Sequence, residues 1–221
     1  MRDEALILDR LRDSYDDENS LSDYFDFDEI SSLCDSESID IRIWLAKALL
    51  HHQPDTQALV LLRKLYQDIA SCVRVEAIDS LSAFETQDSF EILCAAASDP
   101  DELVRAYSAF GIALVGRRIS PIIAHQILLR MAETESSRRT LVNIYEGLYI
   151  LGQKEMLDRI IELFDSSDYR IQCAVLHALE ELLCTENKNA IKQFVDGLNL
   201  STYTCAVADT IERLASECLE A

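Results

Sequence analysis

Apolar residues recur at intervals of three and four along almost the whole chain. In QALVLLRKLYQD the positions Leu59, Leu62, Leu65 and Tyr66 form one face of a helix. The same spacing runs through DSFEILCAAASD, PIIAHQILLRMAE and EMLDRIIELFDS. Nothing reads as a strand, because the β-branched residues fall into helical spacing. Helices are predicted near 3–13, 21–34, 39–52, 55–69, 72–84, 88–98, 102–115, 121–134, 137–151, 154–165, 168–184, 188–198 and 202–219. Punctuation agrees with these limits. Pro54 and Pro121 suit first helical positions, with Ser120 as an N-cap. Asp99-Pro100-Asp101 makes a turn between paired helices. Gly116 and Gly152 fit the position just beyond a helix C-terminus.

The helices repeat. Arg42, Arg74, Arg105, Arg138 and Arg170 recur at steps of 32, 31, 33 and 32, each at the start of a helical pattern. A further step reaches Thr202, where the arginine is lost but the pattern continues. Three and four residues after each anchor stand Leu45/Ala46, Ala77/Ile78, Ser108/Ala109, Leu141/Val142, Cys173/Ala174 and Cys205/Ala206. Small and apolar residues there predict a face packed closely on a neighbouring helix. One feature breaks the period: AFGIALVG and YEGLYILG place Gly111/Gly116 and Gly147/Gly152 36 residues apart. An insertion of about one turn in that repeat would account for it.

A helix pair of this length cannot bury its apolar face alone and must stack on its neighbours. The pattern Asp-x-x-[Ile/Val/Leu]-Arg followed by small residues, best seen around Asp40-Ile41-Arg42, Leu103-Val104-Arg105 and Asp168-Tyr169-Arg170, resembles the HEAT-like repeat. The nearest variety is the short bacterial form also found in phycobilisome lyase-like proteins. The resemblance covers about residues 20–219. It implies an all-α fold, a right-handed α-solenoid of about six helical hairpins whose second helices line a concave face. It also implies that the arginine ties repeats together by pairing with a nearby aspartate. One domain is expected over 1–221, with an acidic N-terminal cap (1–40), HEAT-like repeats (41–199) and a C-terminal capping helix (200–221).

Charge narrows the function. Across 221 residues, 40 Asp+Glu face 20 Lys+Arg, a net charge of −20. A protein that tracks phosphates needs cations to displace counterions, so nucleic acid is not an expected partner. No run of 18 apolar residues predicts a membrane span, and Asp9 interrupts the apolar stretch of MRDEALILDRLRD, unlike a secretory signal. Seven cysteines (34, 72, 94, 173, 184, 205 and 218), an odd count with no C-x-x-C, predict packed thiols in a reducing, cytoplasmic setting. No phosphate loop, nucleophile elbow or H-E-x-x-H is present. The His51-His52 pair suits a helix end, and His125 and His177 lie in helical faces. A calcium loop starting at Asp17-Glu18-Asn19 fails, because Leu21 and Ser22 occupy ligand and glycine positions. No enzyme activity, cofactor or metal is expected.

The acidity is uneven. Residues 1–40 hold 14 Asp+Glu and 3 Arg, a net of −11. Tyr15, Tyr24, Phe25 and Phe27 are interleaved with these acids. Carboxylates around aromatic anchors steer a cationic partner. The other reading is a polar cap with Tyr24, Phe25 and Phe27 buried beneath it, and the cap can itself be the docking surface. A second surface is the ridge at anchor +2 and +5: Trp44 and Lys47, Glu76 and Asp79, Tyr107 and Phe110, Thr140 and Asn143, Gln172 and Val175. The candidate partner-binding residues are thus Tyr24, Phe25, Asp26, Asp28, Glu29, Trp44, Glu76, Asp79 and Tyr107. The expectation is a non-catalytic protein, monomeric alone, that captures a basic protein. In its most concrete form it is an immunity protein occluding a nuclease-like toxin. A general assembly scaffold and a bilin lyase-like enzyme are the alternatives.

Overall fold

The computed structural model describes residues 4–16, 21–51, 56–164 and 167–220, which contain helices and no strand. His52, Pro54 and the Asp17-Glu18-Asn19 segment lie outside the described residues. Thirteen α-helices follow in order: α1 (Glu4–Asp16), α2 (Phe27–Leu33), α3 (Ile39–Ala48), α4 (Thr56–Leu65), α5 (Ser71–Leu81), α6 (Gln87–Ala96), α7 (Glu102–Ile119), α8 (Pro121–Thr134), α9 (Arg138–Ile150), α10 (Met156–Leu163), α11 (Tyr169–Leu182), α12 (Lys188–Asp196) and α13 (Cys205–Glu220). Each coincides with a helix expected from apolar spacing. The chain forms two compact units, residues 1–124 and 125–221.

In the first unit α1 packs on α3, α3 on α5 and α5 on α7, while α4 covers α5 and α6 covers α7. The +3/+4 pairs Leu45/Ala46, Ala77/Ile78 and Ser108/Ala109 are all buried at this stack. Their small side chains bring backbones close: the buried Ser80 hydroxyl donates to Ala46 O at 2.9 Å, joining α5 to α3. Gly111 and Gly116 serve the same end. A Cβ at Gly116 would stand 2.5 Å from Ala124 Cβ and 2.8 Å from the Phe90 ring. Gly116 lies inside α7, not beyond its end as expected; close approach to α8 and α6 requires the glycine there. Gly152 is the terminator expected. Its φ is +106°, Gly152 N–H donates to Tyr149 O at 2.9 Å, and Gln153 N–H to Leu148 O at 3.0 Å, a Schellman cap on α9.

The first unit is laced along one edge by its arginines. Arg42 donates Nε to Asp68 Oδ2 at 2.5 Å and Nη2 to Asp68 Oδ1 at 3.2 Å, and also bonds Ser36 O. Arg74 donates to both Asp99 oxygens at 2.9 and 2.8 Å and to Asp68 O at 2.9 Å. Arg105 donates to Asp99 O at 2.9 Å and Pro100 O at 3.1 Å. Each arginine thus grips the turn before its own helix, and Arg42 and Arg74 also grip the turn before the next. The aspartates are fixed in turn: Asp68 accepts from Ala70 N–H at 2.8 Å and Asp99 from Asp101 N–H at 2.9 Å. Burial opposes the Asp68 charge, but the Arg42 hydrogen bond and the Ala70 N–H outweigh it and hold its pKa below the usual value.

The second unit relies more on aromatic and neutral contacts, beside one pair between α13 and α11, Arg213 to Glu180 at 2.7 Å. α10 and α11 pack on α9, α13 on α11 and α12 on α13. The Phe164 ring meets Phe194 at 5.2 Å and Tyr203 at 5.6 Å, both edge-on. Buried Asn187 donates to Tyr149 Oη at 3.0 Å and Leu182 O at 2.7 Å, and accepts from Cys184 N–H at 2.8 Å.

The expected anchor register fails here. In the first unit the anchor arginine is the fourth residue after its cap and makes the first helical hydrogen bond: Arg42 to Ser38 O, Arg74 to Ala70 O, Arg105 to Asp101 O. In α9 and α11 that bond is made by Leu141 to Ser137 O and Gln172 to Asp168 O. Arg138 is the first residue of its helix and Arg170 the second. The structural step from Arg105 to Leu141 is therefore 36 residues, which is the glycine spacing. The correction explains other misplacements. Cys173/Ala174 and Cys205/Ala206 are not buried, whereas Val175 and Leu176 are fully so. Thr140 and Val175, expected on the outer ridge, are completely buried.

Candidate functional site

The ridge residues of the first unit stand on the stacked helices α3, α5 and α7. Trp44 is half-buried and meets the Tyr15 ring edge-on at 6.0 Å. Two cations lie over its indole, Arg12 at 5.2 Å and Lys47 at 5.1 Å. Lys47 also reaches Glu76 at 3.6 Å, so Trp44 and Glu76 are joined through a cation. Burial raises the Glu76 pKa against the attraction of Lys47. Asp79 is exposed one turn further along α5, and Tyr107 on α7 is 37 % exposed. The ridge is consequently mixed in charge and largely knitted to itself.

The N-terminal segment is different. Among described residues 4–40, every Asp and Glu is exposed except Glu29, which is half-buried. Asp26 and Glu29 form a capping box on α2: Glu29 N–H donates to Asp26 Oδ1 at 2.8 Å and Asp26 N–H to Glu29 Oε2 at 3.1 Å. Two of the candidate binding acids therefore also hold the local fold, a role readable from the D-x-x-E spacing. Phe25 is buried, with the Arg10 guanidinium 5.9 Å from its ring centre, and Tyr24 is half-buried. Phe27 is 48 % exposed. The expected burial of all three aromatics holds fully only for Phe25; Phe27, the first residue of α2, leaves about half of its surface in solvent.

Beside this segment is a cavity of about 270 Å³. Its wall is apolar, made by Leu21, Phe25, Ile30, Leu49, Ala58 and Leu61, and Ser22, Asp26, Phe27 and Gln57 line it from more exposed positions. Sequence reasoning did not find it, because its walls come from three segments far apart in the chain.

Elsewhere the chemistry is sparse. Among the described residues no three His, Cys, Asp or Glu side chains converge on a metal position. All seven cysteines are free. Burial pushes the Cys34 thiol up to about 11 and that of Cys94 likewise, so neither is a nucleophile near neutrality. Packed thiols were expected throughout, yet Cys72, Cys173 and Cys205 are exposed. The latter two follow from the register shift. Glu146 in α9 is 1 % exposed, and among the described residues its Oε1 has no hydrogen-bond partner. Burial first, then the negative field of Glu181, push its pKa up to about 8. Among the described residues no helix is long and apolar enough to cross a membrane.

Residues 28–113 match the family model of HEAT repeats. Residues 28–113 are similar to HEAT repeats. No curated protein matches the sequence. The HEAT-like stretch runs from α2 into α7 and contains the whole arginine–aspartate lacing. In this HEAT-like part the predicted tying role of the arginines holds for Arg42 and Arg74, which are engaged by carboxylates at the next turn.

Proposed function

We propose that this HEAT-like helical scaffold is a non-catalytic protein-binding module that captures a basic protein through its acidic N-terminal surface. The observation that carries this reading is the difference between two sets of acids. Asp99, buried, and Asp68, partly buried, are committed to the repeat lacing. Asp9, Asp13, Asp23, Asp28, Glu37 and Asp40 are exposed to solvent. Exposed charges of one sign raise the encounter rate with a cationic surface. In its most specific form the module is an immunity protein covering the phosphate-binding site of a nuclease-like toxin, since such a site must be cationic to hold its substrate.

Co-purification from native cells at low ionic strength tests this. The expected partner is a basic protein, released as salt shortens the Debye length from about 10 Å at 0.1 M toward about 3 Å at 1 M. Neutralising Asp23, Asp28 and Asp40 together to Asn slows its association and flattens the salt dependence. Partners that are neutral or acidic, or retention indifferent to salt, would contradict the proposal.

A further inference from the structure

The cavity between the N-terminal segment and α4 points to a more specific docking mode, which rests on the acidic-surface reading above. We propose that it receives one large apolar side chain of a partner polypeptide, flanked in that polypeptide by Lys or Arg. Three features fit this occupant. The volume, about 270 Å³, is below the roughly 300–1,000 Å³ of pockets that enclose drug-sized ligands, and is suited to a single side chain. The wall formed by Leu21, Phe25, Ile30, Leu49, Ala58 and Leu61 offers dispersion and desolvation but no charged group to a cofactor. The surroundings carry an anionic excess: residues 21–41 contain Asp23, Asp26, Asp28, Glu29, Asp35, Glu37 and Asp40 and no Lys or Arg, against which stand Arg10, 5.9 Å from the Phe25 ring centre, and Lys64, paired with Asp35 at 2.6 Å. Asp26 itself lines the cavity and is exposed.

Phe27 explains how the two parts act together. It lines the cavity and is about half exposed, and in this docking mode it closes over the inserted side chain and excludes water from the contact. Exclusion of water around a central anchor is what makes a few residues dominate an interface. The surrounding carboxylates then meet the flanking cations at the rim, where they set encounter rate and register more than affinity.

The test uses the full chain and three short synthetic peptides, one phenylalanine between two runs of lysine, the same peptide with alanine, and the same with glutamate flanks. Binding is read by methyl NMR. The phenylalanine–lysine peptide shifts the methyl signals of Leu21, Ile30, Leu49 and Leu61 and binds at least about fivefold more tightly than the alanine peptide. The glutamate-flanked peptide does not bind. Gln57→Trp blocks the mouth from an exposed position and abolishes these shifts, and Phe27→Ala weakens binding without filling the cavity. If Gln57→Trp fails to fold, Phe27→Ala decides. Equal binding of the phenylalanine and alanine peptides would overturn the cavity while leaving the electrostatic reading intact. So would shifts centred on Trp44. No binding of any peptide overturns the cavity proposal, and the partner's response to salt then judges the broader reading separately.

Discussion

The two units hold the same kind of helices together by different chemistry. The first unit uses arginine–aspartate pairs from one turn to the next, at Arg42–Asp68 and Arg74–Asp99. The second uses the Phe164, Phe194 and Tyr203 rings, the neutral hydrogen bonds of Asn187 and one more exposed pair, Arg213 on α13 to Glu180 on α11 at 2.7 Å. Arginines persist in the second unit at nearly the same sequence interval, but Arg138 and Arg170 sit at the first turn of their helices. There Arg138 donates to a backbone carbonyl, Leu163 O at 3.2 Å. A period in sequence therefore does not guarantee a period in interaction. The deciding quantity is the residue's place relative to the helix cap.

The largest predicted effect lies in the first unit. Arg42→Ala leaves the partly buried Asp68 with only the Ala70 N–H, at a cost of about 3 kcal/mol, the lower end for broken buried pairs. Chemical denaturation of the full chain measures it. The matched change in the second unit, Arg170→Ala at an exposed position, is expected to cost about 1 kcal/mol or less, the range of exposed polar pairs. Similar losses for both would remove the distinction between the units.

Two buried or partly buried carboxyls, one in each unit, respond oppositely to pH. Glu146 has its pKa raised from 4.5 to about 8, so the folded second unit holds a proton that the unfolded chain has released. Its stability is fully present below about pH 4.5 and falls as pH rises toward 8, by on the order of 2–3 kcal/mol between pH 5 and pH 7. Asp68 has the opposite sign: its folded pKa lies below 3.8, so its contribution is present above that value and is lost as pH falls through the folded pKa. Glu146→Gln keeps an acceptor for the Asn143 amide (3.4 Å to Glu146 Oε2 in the native side chain) and removes the loss at neutral pH. Thermal melts from pH 5 to pH 8 show it as a flattened slope. A variant with the wild-type slope would place the titration elsewhere.

A smaller effect separates polar from apolar packing. Asn187→Leu strands the Tyr149 hydroxyl, Leu182 O and Cys184 N–H, and is expected to cost about 2 kcal/mol. The smallest concerns close approach. Gly116→Ala drives a methyl against the fixed Ala124 Cβ and costs about 1–2 kcal/mol after its gain in helix propensity. Gly111→Ala costs less, because the nearest atom is the movable end of Leu93, 2.7 Å away. A reversed order would mean that α8 moves aside more easily than the Leu93 side chain turns.

The helices were legible in the sequence because a buried stripe repeats every turn whatever the stripe packs on. The turn at Asp99-Pro100-Asp101 and the terminator at Gly152 were legible for local reasons. Gly116 was misread because close packing between helices leaves no local signal. The anchor register was misread in α9 and α11 because arginine identity was followed in place of cap position; Ser137 and Asp168, both capping residues, carried the better signal. Of the candidate binding residues, the exposed Asp28, Asp79 and Tyr107 could be guessed from composition and spacing. The capping role of Asp26 and Glu29 was present in their spacing. The cavity was not, since Leu21, Leu49 and Leu61 meet only after α1–α4 have packed.

Hydrogen exchange on the wild-type chain and on Asp68→Ala tests most directly whether the arginine–aspartate lacing ties the helices of the first unit. The account predicts faster exchange across α3, α5 and α7, with α9, α11 and α13 unchanged. Unchanged protection in α3 and α5, or equal losses in both units, would contradict it.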